Sequence, residues 1–206
     1  MRSRHMMTLL ALMLMVSGCA TERRVPAGAA NADSALVAAA VIAAPPAQDT
    51  ARDAEAPFLA ATTVAAQQRE GRPAAMSGVQ FTEETQAGRH FDRIVFAFTG
   101  DSAVGYHVAY TDEPVRHCGS GQPVAVAGSA HLVVRFEPAQ AHDEHGNATP
   151  ATRALTVQLP VVKDMKLTCD YEGQVEWVLG LAGKHPFRVT ELPGPPRVAI
   201  DVAHPE

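Results

Sequence analysis

Apolar and polar side chains alternate with a period of two through much of the chain after Met76. The alternation covers residues 91–98, 106–110, 132–136, 155–159, 175–181 and 198–202. This period is typical of strands with one buried face, and the intervening Gly and Pro residues are typical of turns. The pattern predicts an all-β fold, a small antiparallel β-sandwich of two packed sheets, over residues 77–206. Residues 161–167 break the pattern, and there we predict a turn of helix or an irregular crossover.

The N-terminal residues carry the pattern of an export signal. Arg2 and Arg4 precede an apolar stretch, residues 6–16, which is too short for the roughly 20-residue helix that crosses a bilayer. The sequence of residues 16–19, VSGC, resembles the bacterial lipobox. That resemblance implies a lipoprotein signal peptide at residues 1–18, cleavage before Cys19, and a membrane anchor formed by diacylglycerylation of the Cys19 thiol, with acyl chains such as palmitate. An ordinary signal peptide with an incidental Cys remains the alternative.

The next segment, residues 19–76, has the composition of a spacer. Between Ala20 and Ala75 the chain holds 21 Ala and 5 Pro, and Phe58 is the sole aromatic residue there. So little large apolar surface cannot offset the entropy lost on ordering, so we predict a disordered linker. Because Ala20 follows Cys19 where a sorting Asp would stand, the resemblance implies an outer-membrane anchor in a Gram-negative cell. In another cell type the anchor would lie at the extracytoplasmic face of the cell membrane.

Charge and cysteine content limit the partners and the compartment. The net charge is −5, and residues 77–206 hold 10 basic against 16 acidic side chains, which argues against nucleic-acid binding. Export would place Cys118 and Cys169 in an oxidising compartment with Cys19 taken by lipid, so we predict a disulfide between the two. Two buried free thiols are the alternative.

Chemical motifs are sparse. His131, His142 and His145 are a candidate metal group, but their spacing matches no zinc motif, and solvated loop residues are the simpler interpretation. Ser120 lacks the spacing of a nucleophile elbow. We therefore expect no enzyme activity, no metal site and no cofactor.

A candidate binding surface consists of Arg93, Arg116, Arg188 and Tyr106, which the alternation places on or beside outward strand faces. Arginine with aromatic rings is typical of surfaces that contact carbohydrate or peptide. Trp177 shares a face with apolar neighbours, so a core role is favoured over a binding role there.

Seven short motifs in order resemble a known family. They are GRHFDRIVF (88–96), GYHVAY (105–110), PAQAH (138–142), CDYEG (169–173), WVLGL (177–181), PFRV (186–189) and PPRVAIDV (195–202). This part of the sequence resembles the AMIN-like domain of bacterial secreted and lipid-anchored proteins, which is related to the AMIN domain of N-acetylmuramoyl-L-alanine amidases and pilus secretins. The resemblance implies a small β-sandwich without catalytic residues that localises proteins in the cell envelope, in established members by contacting peptidoglycan.

Together these observations predict a lipid-anchored envelope protein with a non-catalytic module that binds peptidoglycan or an envelope protein partner. One alternative is a structural or assembly lipoprotein that docks a protein partner by strand addition at an exposed sheet edge. A remote alternative is a metal-dependent hydrolase that uses the three histidines.

Overall fold

The computed structural model describes residues 56–206, which contain eleven β-strands and no helix. The strands are β1 (Ala65–Gln67), β2 (Ala74–Gln86), β3 (Arg89–Phe98), β4 (Gly105–Thr111), β5 (Ala130–Glu137), β6 (Ala139–Gln140), β7 (Ala154–Thr156), β8 (Val162–Tyr171), β9 (Gln174–Leu181), β10 (Phe187–Leu192) and β11 (Arg197–Ala203). Accordingly, this part of the chain offers no long apolar helix that would cross a membrane. The prediction of an all-β fold is confirmed.

The strands form two packed sheets. One has six strands in the order β1-β4-β5-β9-β8-β7, and the other has five in the order β10-β11-β3-β2-β6. The pairings are antiparallel except for β2 with β6, which is parallel and two residues long. Consecutive strands pair across tight turns, as for β2 with β3 and β8 with β9. The predicted β-sandwich is therefore the architecture of the described residues.

The core lies between the sheets and follows the predicted alternation. Ile94, Phe96 and Phe98 point inward from β3 and are at most 1% exposed. The Phe96 ring lies 4.9 Å from the Phe136 ring and 6.0 Å from the Trp177 ring, which joins the two sheets through aromatic contacts. Trp177 is fully buried, so the structure assigns it to the core.

The segment predicted as a turn of helix or a crossover, residues 161–167, is a strand instead, and that prediction was wrong. It forms the first part of β8, where Met165 pairs with Leu179 of β9. The pairing shifts register between Val162 and Asp164 and again farther along the strand. These bulges interrupt the period of two, which explains why the alternation was not visible in the sequence.

The predicted end of the linker also needs correction, because residues 56–76 belong to the sandwich. β1 pairs with β4, Leu59 exchanges backbone hydrogen bonds with Phe187, and β2 begins at Ala74. Backbone pairing holds this stretch in place, and a composition poor in large apolar residues does not prevent such pairing. The predicted signal peptide and the remainder of the linker lie outside the described residues.

Gly105 of β4 lies close to the backbones of both neighbouring strands, β1 and β5. A Cβ at Gly105 would overlap the Glu137 carbonyl oxygen and lie 2.8 Å from the Gln67 carbonyl oxygen. Only glycine, which has no Cβ, allows these backbones to lie so close together.

A buried carboxylate also links the two sheets. Asp92 of β3 is fully buried, and its Oδ2 accepts hydrogen bonds from the Val161 and Val162 backbone amides at 2.8 and 2.7 Å. Its Oδ1 lies 2.7 Å from Nε2 of His204. These partners satisfy the carboxylate, which would otherwise destabilise an apolar interior.

Candidate functional site

Arg93 and Arg188, from the predicted binding surface, meet at one carboxylate on the outer face of the five-stranded sheet. Arg93 Nε donates to Asp201 Oδ1 at 2.7 Å, and Arg188 Nε donates to Asp201 Oδ2 at 2.6 Å. The register of β3, β11 and β10 places the three residues side by side. Asp201 is fully buried and the Arg188 side chain is 7% exposed. Both guanidinium groups therefore already have a counter-charge within the fold.

Two aromatic rings cover this cluster. The Arg188 guanidinium lies 4.7 Å from the Phe58 ring centre and 5.0 Å from the Phe91 ring centre. The two rings contact each other edge to face at 5.9 Å. Arg188 also donates to the Gln86 side-chain oxygen at 2.7 Å. Arg188 therefore lies on the outward face of its strand but is buried there beneath the two rings.

Arg116 and Tyr106 lie elsewhere, so the structure does not bring the four predicted surface residues together. Arg116 is in the segment between β4 and β5, where its guanidinium donates to the Gly121 carbonyl oxygen at 2.9 Å. Tyr106 is on β4 of the six-stranded sheet and packs against the core. Its pKa is raised, first by burial and then by Glu191, although Arg69 partly opposes the effect.

The predicted histidine group is also dispersed. His131 lies on β5 with its Nε2 3.3 Å from the Val126 carbonyl oxygen, whereas His142 Nδ1 lies 2.9 Å from Asp170 Oδ1. His145 is exposed in a turn, where its backbone amide donates to Asp143. Within residues 56–206, no three His, Cys, Asp or Glu side chains are grouped so as to hold a metal ion.

Cys118 and Cys169 are joined by a disulfide in the structure, with their Cα atoms 5.2 Å apart. The bond attaches the segment between β4 and β5 to β8, and the Cys118 amide also donates to the Thr168 carbonyl oxygen at 3.1 Å. Cys169 follows the second register shift of β8. The disulfide thus fixes a loop beside the end of β8.

An open groove of about 560 Å³ lies next to this disulfide. We name it the disulfide groove, and its lining includes Ser120, Arg153, Lys166, Thr168 and Tyr171. Tyr171 is 61% exposed, the largest value among the exposed large apolar and aromatic side chains of the described residues. The groove therefore combines an accessible ring with two cationic side chains, and the carboxylate of Asp170 also lines it.

The charges in the disulfide groove are held in place by neighbouring acids. Arg153 pairs with Asp170 at 2.8 Å, and Lys166 pairs with Asp164 at 2.9 Å. The pKa of Tyr171 is raised, chiefly by a side-chain hydrogen bond to Glu172 and by its charge. The hydroxyl proton of Tyr171 is thus directed at Glu172, and the exposed ring is what this side chain offers to a ligand.

Sequence reasoning missed the disulfide groove. Tyr171 follows Cys169 by two residues, so a period of two places both side chains on the same face of the strand and gives no sign that Tyr171 is exposed. Arg153 and Lys166 come together because β7 pairs with β8, with Ala154 opposite Lys166. That register depends on pairing between distant residues.

Comparison with known protein families gives a match over most of the described residues. Residues 74–204 match the model of the AMIN-like domain family. No curated protein and no solved structure matches the chain. The matched residues run from the first residue of β2 to just beyond β11, so they include most of both sheets and the disulfide. Since the match spans well over half of the sequence, the chain belongs to the AMIN-like domain family.

Proposed function

We propose that this chain is a lipid-anchored protein of the cell envelope whose AMIN-like module binds peptidoglycan in the disulfide groove without catalysing a reaction. Family membership indicates an envelope-associated, non-catalytic module located outside the cytoplasm. The observation that carries the proposal is the exposed Tyr171 ring beside Arg153 and Lys166. An aromatic ring packs against a sugar face, and the cations suit the carboxylates of the stem peptides.

The outer-face cluster around Asp201 is a less favourable site for this ligand. Arg93 and Arg188 are both paired with Asp201, and Arg188 is covered by Phe58. A ligand carboxylate there would have to displace a buried counter-ion, which costs several kcal/mol per uncompensated charge. In the disulfide groove the cations also have acidic partners. The Arg153 side chain is 36% exposed, however, so a ligand carboxylate can approach it from solvent while Asp170 stays in place.

Binding is tested by sedimentation with purified sacculi at low salt, with a full-length chain carrying Cys19→Ser so that no lipid contributes. We expect Tyr171→Ala to lower the affinity about tenfold, because it removes the accessible ring from the groove. The matched control is Val64→Ala, which trims another exposed apolar residue next to β1, at the opposite edge of the same sheet.

Retention that is equal for Tyr171→Ala and Val64→Ala would contradict the assignment of the groove. Absence of any retention of the parent chain would contradict peptidoglycan binding itself. Circular dichroism of each variant confirms that the sheets are intact, so a lost fold cannot be mistaken for a lost site.

The lipid anchor has a separate test. Several acyl chains hold a protein firmly on a bilayer, because each buried CH₂ contributes about 0.8 kcal/mol. We expect the chain to fractionate with membranes and Cys19→Ser to move it to the soluble fraction. Membrane association that survives Cys19→Ser would contradict anchoring through this thiol.

A further inference from the structure

The longest strand of the described residues has an open edge. β2 has 13 residues, and it pairs with β3 as far as Gln86. On its other side β6 pairs only with Ala74 and Ala75. From Gly78 to Thr85, no other strand of the described residues pairs with that side. Alternate backbone N–H and C=O groups of a long segment therefore face outward and can accept another strand.

The other outer strands of the described residues are shorter, and β10, with 6 residues, is bonded on its outer side at one of them. β1 and β7, which end the six-stranded sheet, have 3 residues each. At the far end of the five-stranded sheet, Leu59 bonds to β10 at Phe187, and Arg188 donates to the Ala56 carbonyl oxygen. Short or covered edges resist strand addition. Among residues 56–206, nothing gives the β2 edge that protection from Gly78 to Thr85.

The side chains along this edge favour one kind of partner. Phe81 points toward the core side of the sheet, opposite Ile94 of β3, and yet remains 40% exposed. Glu83 and Glu84 follow on opposite faces, and the Glu83 side chain is 52% exposed. The strand contains no Lys or Arg. An added strand would therefore place its side chains beside one apolar ring and two carboxylates.

A second copy of this chain fits the edge poorly. Pairing β2 with another β2 would bring acidic residues together with no basic residue in either strand. Residues 77–206 also carry a net excess of acidic side chains, 16 against 10 basic ones, so two modules repel each other. Like charges across a strand pair are destabilising. Charge complementarity instead favours a basic strand.

We propose that the open edge of β2 binds, by strand addition, an extended segment of another protein that alternates apolar and basic residues. Backbone hydrogen bonds to residues 78–85 would supply affinity, while an apolar side chain beside Phe81 and a Lys or Arg beside Glu83 and Glu84 would supply specificity. This surface is separate from the disulfide groove, so the module holds a protein partner and a glycan at different places.

The test uses full-length Cys19→Ser protein and two short synthetic peptides, one alternating Val and Lys and the other alternating Val and Glu. Hydrogen exchange is followed at single amides. At a Val-Lys peptide concentration about ten times its Kd, we expect the outward amides of residues 78–85 to exchange about tenfold more slowly. The Val-Glu peptide should leave them unchanged.

The charge dependence is checked with the double variant Glu83→Lys, Glu84→Lys, for which the preference should reverse toward the Val-Glu peptide. The milder double variant Glu83→Gln, Glu84→Gln should bind both peptides with equal affinity. It replaces the charge-reversed variant in the test if the two lysine substitutions disturb the strand. The Tyr171→Ala chain should retain peptide binding in full. That result separates this proposal from peptidoglycan binding.

Three results would overturn the proposal. The first is unchanged exchange of the β2 amides with the Val-Lys peptide. The second is equal protection in the parent chain and in the charge-reversed variant, since charge would then play no part. The third is slow exchange of the outward amides before any peptide is added, since the edge would then already be paired within the chain or between two copies.

Discussion

Replacing Asp201 with alanine is expected to lower the free energy of unfolding by about 3–5 kcal/mol, because removing one member of a buried ion pair leaves uncompensated charge. Asp201 is fully buried and accepts hydrogen bonds from Arg93 and Arg188. Arg188 has a side-chain exposure of only 7%, so water cannot replace the lost carboxylate without disturbing the packing of Phe58. Urea denaturation followed by circular dichroism measures the change.

The exposed ion pair of Lys184 with Asp112 provides the matched control for this substitution. Asp112 has a side-chain exposure of 85%, and Asp112→Ala is expected to change the stability by less than about 1 kcal/mol. Asp201→Asn should lose part of the stability, because an amide keeps one acceptor but no charge. If Asp201→Ala costs no more than Asp112→Ala, the cluster on the outer face does not stabilise the fold.

Removing the disulfide is expected to have an effect of similar size. The bond spans a sequence separation of 51. Closing a loop of about 50 residues restricts the unfolded chain by about 4 kcal/mol in the entropy model. We therefore expect the double variant Cys118→Ala, Cys169→Ala to unfold at a clearly lower denaturant concentration than the parent, measured in the Cys19→Ser background so that no other thiol is present.

Two controls separate the covalent bond from the side chains that form it. Dithiothreitol should destabilise the parent by a similar amount and leave the double variant unchanged. Mass spectrometry after alkylation of the unreduced, denatured parent should find no modified Cys. Two alkylated residues in that experiment, or equal stability of parent and double variant, would contradict a stabilising disulfide in the protein as isolated.

The sequence predicted the elements that alternate cleanly. Ile94, Phe96 and Phe98 on β3 point to the core, as the period of two required, and the disulfide partners were chosen from compartment and cysteine count. These features depend on local spacing or on simple counting, so one sequence suffices for them.

The missed features depend on contacts between residues far apart in the chain. Alternation places Arg93 and Arg188 on the outer face of their strands, but only the register of three strands reveals that Asp201 neutralises both. Phe58, which covers Arg188, was assigned to the disordered linker because its surroundings are rich in Ala. The bulges of β8 hid a strand for a similar reason, since a bulge shifts the periodicity.

The carboxylate of Asp92 also bears on how this module tolerates sequence change. Apolar positions in the core can exchange among Leu, Ile, Val and Met at modest cost, provided that the total volume is kept. Position 92 has no such freedom, because its partners are two backbone amides that face it from the other sheet and a ring near the C-terminus. Sliding one sheet past the other would separate this carboxylate from its partners and leave it among apolar side chains. The Asp92 carboxylate therefore keeps the two sheets aligned, while the apolar residues between them can be exchanged for one another.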